Sequence, residues 1–206
     1  MSVRGLVATA AGGLVIALTA GSISPLQAQT TTAAKTTAKT TANADVKADS
    51  RFIRNFTSDN MLEVSLGKLA EQKAVNPAVK QFGQRMDTDH NKTQNDWVNM
   101  ATQNGLTLRA GMGQRHRAKL TRLQKLSGAA FDKAYMTQAI QDHKDDIDYF
   151  QREGQAAHSS QVRDLVASTL PTLQDHFKQA KEVGAQVGAD TTAAPRTAMV
   201  KKKSGT

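Results

Sequence analysis

The chain is predicted to be all-α: a bundle of four long helices, with a long crossover containing a short helix between the second and third. Three observations predict it. After residue 50, apolar residues recur at spacings of three and four, the mark of amphipathic helices. β-Branched residues are sparse there, and few windows alternate apolar and polar. Helix starters and breakers then divide the sequence into helix-length pieces: Ser50, Asn76-Pro77, Gly105, Ser127-Gly128, Gly154 and Ser159-Ser160.

The first helix is expected from about Arg51 to Ala74, with Ser50 as N-cap. Its inner line is Phe52, Phe56, Glu63, Leu66 and Ala70. At about 100° per residue, Phe56 and Ala70 both lie within about 20° of Glu63, so Glu63 points where the phenylalanines point. Asn76-Pro77 opens the second helix, with proline at its first position. That helix runs to about Asn104 along Val79, Phe82, Met86, His90, Thr93 and Trp97. Asp87 sits one turn before His90; Asp89 is read as facing solvent.

Residues 105–127 form the crossover, with a short helix over Gln114–Leu126. Leu120, Leu123 and Leu126 give it one apolar edge, and five basic residues crowd the rest. The third long helix runs to about Glu153 and ends at Gly154, with Met136, Ala139, Ile140, His143, Ile147 and Phe150 inside. The fourth starts near Ser159-Ser160 and runs to about Val187, with Val162, Leu165, Thr169, Leu173, His176, Ala180 and Val183 inside. Pro171 is expected to interrupt it.

The ends differ in kind. Residues 1–28 read as an export signal: Arg4, an apolar run from Gly5 to Gly21, Pro25, and Ala28 before the cut. The chain would then be periplasmic or secreted. Residues 29–50, mostly Ala, Thr and Lys, are expected to be a disordered linker. Residues 51–188 form the folded domain, and 189–206 a disordered basic tail closing with Lys201-Lys202-Lys203.

The formal charge of +9 is concentrated at the ends, since residues 51–195 hold 19 Lys/Arg against 16 Asp/Glu. A basic tail on a near-neutral domain points to weak association with an anionic envelope surface. No basic-aromatic interleaving marks a nucleic-acid partner. The absence of cysteine excludes thiolate catalysis and cysteine-zinc sites. No phosphate-binding glycine loop, dinucleotide fingerprint or Ser-His-Asp arrangement stands out, so no enzyme class is indicated.

Four long helices thus each place one metal-capable side chain on an inner line: Glu63, His90, His143 and His176, with Asp87 as an auxiliary carboxylate. An unpaired polar group in a helix core costs several kcal/mol, about 2 or more each. Two readings account for them. One is a site for a single divalent transition metal, Zn, Fe, Cu or Ni. The other is a metal-free buried polar network that fixes helix register. His116 on the crossover and His158 in the last turn read as ordinary exposed residues.

Two hairpins joined by a long crossover are the ferritin-like plan. The segments EVSLGKLAEQKAVNPAVKQFGQRMDTDH, LSGAAFDKAYM and LPTLQDHF resemble the bacterial family known as domain of unknown function 4142, grouped with ferritin-like bundles. The resemblance implies the fold and an exported protein, but no activity. Di-iron members of that fold class use four carboxylates, a Glu on two helices and Glu-x-x-His on the other two. Here Asp87 to His90 is a shortened version, His143 replaces a Glu, and Leu173 stands where a carboxylate would precede His176. That departure argues against ferroxidase or iron-storage chemistry.

Overall fold

The computed structural model describes residues 25–192 of the chain. Among them there are six helices and no strands: α1 (Pro25–Ala48), α2 (Ser50–Lys73), α3 (Pro77–Gln103), α4 (Gln114–Gln124), α5 (Gly128–Ala156) and α6 (Ser160–Gln186). The fold class is therefore all-α, as the periodicity predicts. The chain divides into two compact units, residues 1–38 and 39–206. The first contains only the start of α1 among the described residues. No helix of the described residues is long and apolar enough to cross a membrane.

Residues 25–48 depart from the expected linker. They are helical, and Val46 is buried. Alanine and lysine favour helix, and one turn ending in Val46 finds an apolar cluster to pack into. The next residue but two, Asp49, is buried as well, and its carboxylate accepts from the backbone N–H groups of His158 and Ser159 at 3.0 and 2.9 Å. The start of α6 is thus capped by a residue more than a hundred positions earlier. Asp132 does the same at the α2–α3 turn, accepting from Val75 N–H and Asn76 N–H at 3.2 and 2.8 Å. Asn76 caps α3 as predicted, through Ala78 N–H at 2.8 Å.

The four long helices pack mainly as α2 on α3, α5 on α6, α3 on α6 and α2 on α5, with α4 lying against α2 and α5. Glycine lets α2 and α3 meet closely. A Cβ on Gly67 would lie 2.7 Å from Asp87 N and 2.8 Å from Gly83 O. Gly154 does not end α5, which continues to Ala156; it makes room for Val166, whose Cγ1 would lie 2.5 Å from an added Cβ. α6 also runs unbroken through Pro171. Residues 189–192, expected to begin the tail, remain attached through Asp190 N–H to Thr137 Oγ1 at 3.1 Å. The rest of the tail, and the export signal up to residue 24, lie outside the described residues.

Two apolar clusters fill the bundle. One gathers Leu66, Phe82, Met86, Tyr135, Met136, Ile140 and Ala180; the other gathers Phe52, Phe56, Trp97, Phe150, Val162 and Leu173. Between them the apolar lines stop on every long helix. The interruption falls at Asn60 and Glu63 on α2, His90 on α3, His143 on α5 and His176 on α6, all buried. The core is two oily blocks separated by a polar layer.

Candidate metal centre

The layer brings three histidines together. Each offers one ring nitrogen, and these atoms all lie within 4.8 Å of one another. The ring centroids are 5.2 to 5.5 Å apart, and no ring is more than 2 % exposed. Among the described residues, no other group of His, Asp and Glu converges in this way.

The hydrogen bonds define which nitrogens are free. His143 Nδ1 lies 2.9 Å from the Ala139 carbonyl, so it must carry the proton and donate, leaving a lone pair on Nε2. Asn60 donates through Nδ2 to the His90 carbonyl at 2.7 Å and to Gln94 Oε1 at 2.9 Å. Its Oδ1 is therefore the atom facing His90 Nδ1, at 2.7 Å, and His90 donates. His90 Nε2 is left with a lone pair too, and it faces His143 Nε2 at 3.4 Å. His176 Nε2 donates to Asp89 Oδ2 at 2.8 Å, and its buried Nδ1 has no partner. All three rings thus commit one nitrogen to an acceptor and leave the other unprotonated.

Electrostatics agrees with this assignment. Burial pushes the His90 imidazole well below its usual range, and His143 and His176 nearby add to it. Burial likewise lowers His143 to about 3. His176 is also lowered by burial, against the raising effect of its bond to Asp89. The rings are neutral at ordinary pH, which is the form that ligates metals. Two ligands held 2.0–2.1 Å from a tetrahedral ion stand about 3.3–3.4 Å apart, close to the separation of the His90 and His143 Nε2 atoms. An acceptor behind each ring, here a side-chain amide, a backbone carbonyl and a carboxylate, is the usual support of a ligating histidine.

The two predicted carboxylates do not join this convergence. Glu63 is buried, but its carboxyl is pushed well above the ordinary range, first by burial and then by the charges of Asp142 and Asp146, with Lys119 opposing. One of its oxygens, Oε2, has no hydrogen-bond partner. Asp87 faces the other way, accepting from Asn91 Nδ2 at 2.5 Å and lying 3.7 Å from Lys68 Nζ. The carboxylate that touches the cluster is Asp89, read from sequence as facing solvent; Arg85 holds its Oδ2 at 3.2 Å. Asn60, buried on the α2 inner face three residues before Glu63, carries no metal-ligand signal in the sequence.

His116 is likewise not the ordinary exposed residue expected. Its Nε2 lies 2.5 Å from Asp59 Oδ1 and its Nδ1 3.0 Å from Ser58 Oγ. Ser58 Oγ also accepts from Gly113 N–H at 3.2 Å. A Ser-His-Asp grouping is therefore present after all, and it fastens the start of α4 to α2. His158 is exposed, as expected.

Fold and site together define a class: an all-α bundle with a buried cluster of three neutral histidines. The chain belongs to the family described as "Domain of unknown function (DUF4142)", whose model matches residues 31–183. The match takes in most of the segment expected to be a linker. Among solved structures, the chain is similar to one titled "Crystal structure of DUF305 fragment from Deinococcus radiodurans", with 10% identity and a TM-score of 0.60 over 67% of this chain and 95% of that one. At that identity the likeness concerns the fold. A comparison with curated proteins finds no match.

Proposed function

We propose that this protein binds one divalent transition metal ion in the bundle core through His90, His143 and His176, and serves in metal handling or stress tolerance outside the cytoplasm. The observation that carries the reading is the convergence of three buried rings, each offering a nitrogen within 4.8 Å of the others and each held by an acceptor. With His90 and His143 each donating through Nδ1, their Nε2 lone pairs face each other across 3.4 Å, an arrangement that a bound cation satisfies. Imidazole donors suit zinc, copper, nickel or iron.

The topology supports a ferritin-like assignment: hairpins α2/α3 and α5/α6, with α4 in the crossover between them. The donors do not support di-iron chemistry, since the site offers imidazoles and no converging carboxylate. The extracytoplasmic placement rests on the composition of residues 1–28. N-terminal sequencing of the mature protein tests it; a chain that begins at Met1 would overturn it.

Elemental analysis of the untagged protein tests the metal reading. The expected result is about one metal ion per chain, by the one-site ligand count, lost in a His90→Ala/His143→Ala/His176→Ala variant. Wild-type protein that takes up no metal from an equimolar mixture of the four ions would overturn it.

A further inference from the structure

A cleft of about 1580 Å3 opens between α2, the loop before α4, α4 itself and α5. Six arginines line it: Arg51 and Arg54 on α2, Arg109 in the loop, Arg115 and Arg117 on α4, and Arg152 on α5. Arg152 pairs with Glu153, and no ion pair with a carboxylate among the described residues involves the other five. Four aspartates share the cleft, Asp59, Asp145, Asp146 and Asp148; Asp59 pairs with His116, Asp148 with Lys144, and Asp145 accepts from Gln141. With Lys119 counted beside the six arginines, basic side chains outnumber acidic ones seven to four, so the surface carries an excess of positive charge.

Its framework is fixed. Ser58, Asp59 and His116 clamp the α4 start to α2, and Gly113 N–H closes the loop onto Ser58. Arg54 Nε donates to the Thr107 carbonyl at 3.4 Å, and Arg117 donates to the Met112 carbonyl. Arg51, Arg109 and Arg115 are exposed and make no such contact.

Guanidinium groups match phosphate oxygens in paired, parallel hydrogen bonds. The cleft exceeds the ~300–1,000 Å3 of an ordinary small-molecule pocket, so it has room for several anionic groups at once. Its aromatic wall residue, Tyr149, is already occupied. The hydroxyl accepts from Asn55 at 3.2 Å, and the ring lies between Phe52 and the Arg152 guanidinium. No open ring is offered for base stacking, which single-stranded nucleic acid binding uses.

We propose that this cleft binds clustered phosphate groups, presented by a soluble polyphosphate chain or by anionic phospholipid headgroups. The site is independent of the histidine layer, so its failure would leave the metal reading intact.

The test uses the full chain at low salt, with two probes: inorganic tripolyphosphate, and phosphatidylglycerol vesicles against phosphatidylcholine controls. Two variants are compared with wild type. One is Arg51→Gln/Arg109→Gln/Arg115→Gln; the other is Lys201→Gln/Lys202→Gln/Lys203→Gln in the tail. The expected result is a loss of about fivefold or more in the cleft variant on at least one probe, with a shallower salt dependence. Thermal melts should be unchanged, because the three arginines are exposed and support nothing. A tripolyphosphate response identifies a soluble anion, and a response confined to vesicles identifies a lipid surface. A smaller loss on both probes, an equal loss in the tail variant, or no binding by wild type would overturn the proposal.

Discussion

His90 and His143 hold their Nε2 atoms 3.4 Å apart, each with a lone pair directed at the other. Neither can turn away. Asn60 holds the back of one ring and the Ala139 carbonyl the back of the other. Two facing lone pairs repel, and a cation between them reverses the sign of the interaction.

Asn60 is therefore expected to control the site without touching a metal. Asn60→Leu removes the acceptor behind His90 and leaves the His90 carbonyl without its side-chain donor. Metal affinity should fall roughly 10- to 100-fold, the usual effect of losing such support, with a stability cost of about 1–3 kcal/mol. Asn60→Asp keeps the acceptor and should retain affinity. Competition titration against a chelator measures the first effect, and urea unfolding the second.

The metal-free protein should lose stability in acid, beginning near neutrality. The folded histidines are depressed below their ordinary value near 6.5. The unfolded chain therefore takes up protons first as pH falls through that value, and unfolding is favoured until the folded pKa is reached. With His143 at about 3, that residue alone should cost about 2 kcal/mol at pH 5. Bound metal should be released over the same range. Urea melts at pH 7.5, 6 and 5 measure this; an invariant midpoint would contradict neutral buried rings.

Glu63 should act with the opposite sign. Its folded carboxyl is raised, so the unfolded chain loses its proton first as pH rises above about 4.5. Glu63→Gln mimics the protonated acid at nearly constant shape. Its melting temperature should exceed that of wild type at pH 7.5, with the gap closing towards pH 4. A variant less stable than wild type at every pH would mean that the charge itself is needed.

Two glycines should respond differently to alanine. Gly67→Ala drives a methyl into the Asp87 and Gly83 backbone, and overpacking of this kind costs about 1–3 kcal/mol. Gly154→Ala meets only the Val166 side chain, whose χ1 is stiff in a helix, but it gains about 1 kcal/mol in helix propensity that offsets part of the clash. Thermal unfolding should show a marked loss for the first and a smaller loss for the second.

Much of this was legible in the sequence. The spacing of apolar residues located all four long helices and the short one, and it put His90, His143 and His176 on inner lines, where they are buried. Periodicity gives an angle around one helix, but not which neighbour stands on each side. Asp87 and Asp89 fall about 60° and 100° either side of His90. α2 stands on one flank and supplies Lys68; α6 stands on the other and supplies His176. It is therefore Asp89, not Asp87, that contacts a histidine of the cluster. Glu63 was placed correctly in the core, but its partners lie on α5 and α4, which one helix's pattern does not record. The Ser58–His116 contact spans 58 positions, beyond any local signal. The Ala/Thr/Lys composition carries no large apolar face, so it gives no sign that Val46 and Asp49 at the end of the stretch are buried against the bundle.

Asp49 has a bearing on the order of events during synthesis. The two amide groups it receives belong to residues 158 and 159, which leave the ribosome long after it does. Until then that carboxylate lacks its two backbone partners, and the junction ahead of α2 is held only by apolar contacts such as those of Val46. The start of the last hairpin therefore completes the junction ahead of α2, and a nascent chain stopped short of residue 158 would lack this polar latch however complete its preceding helices were.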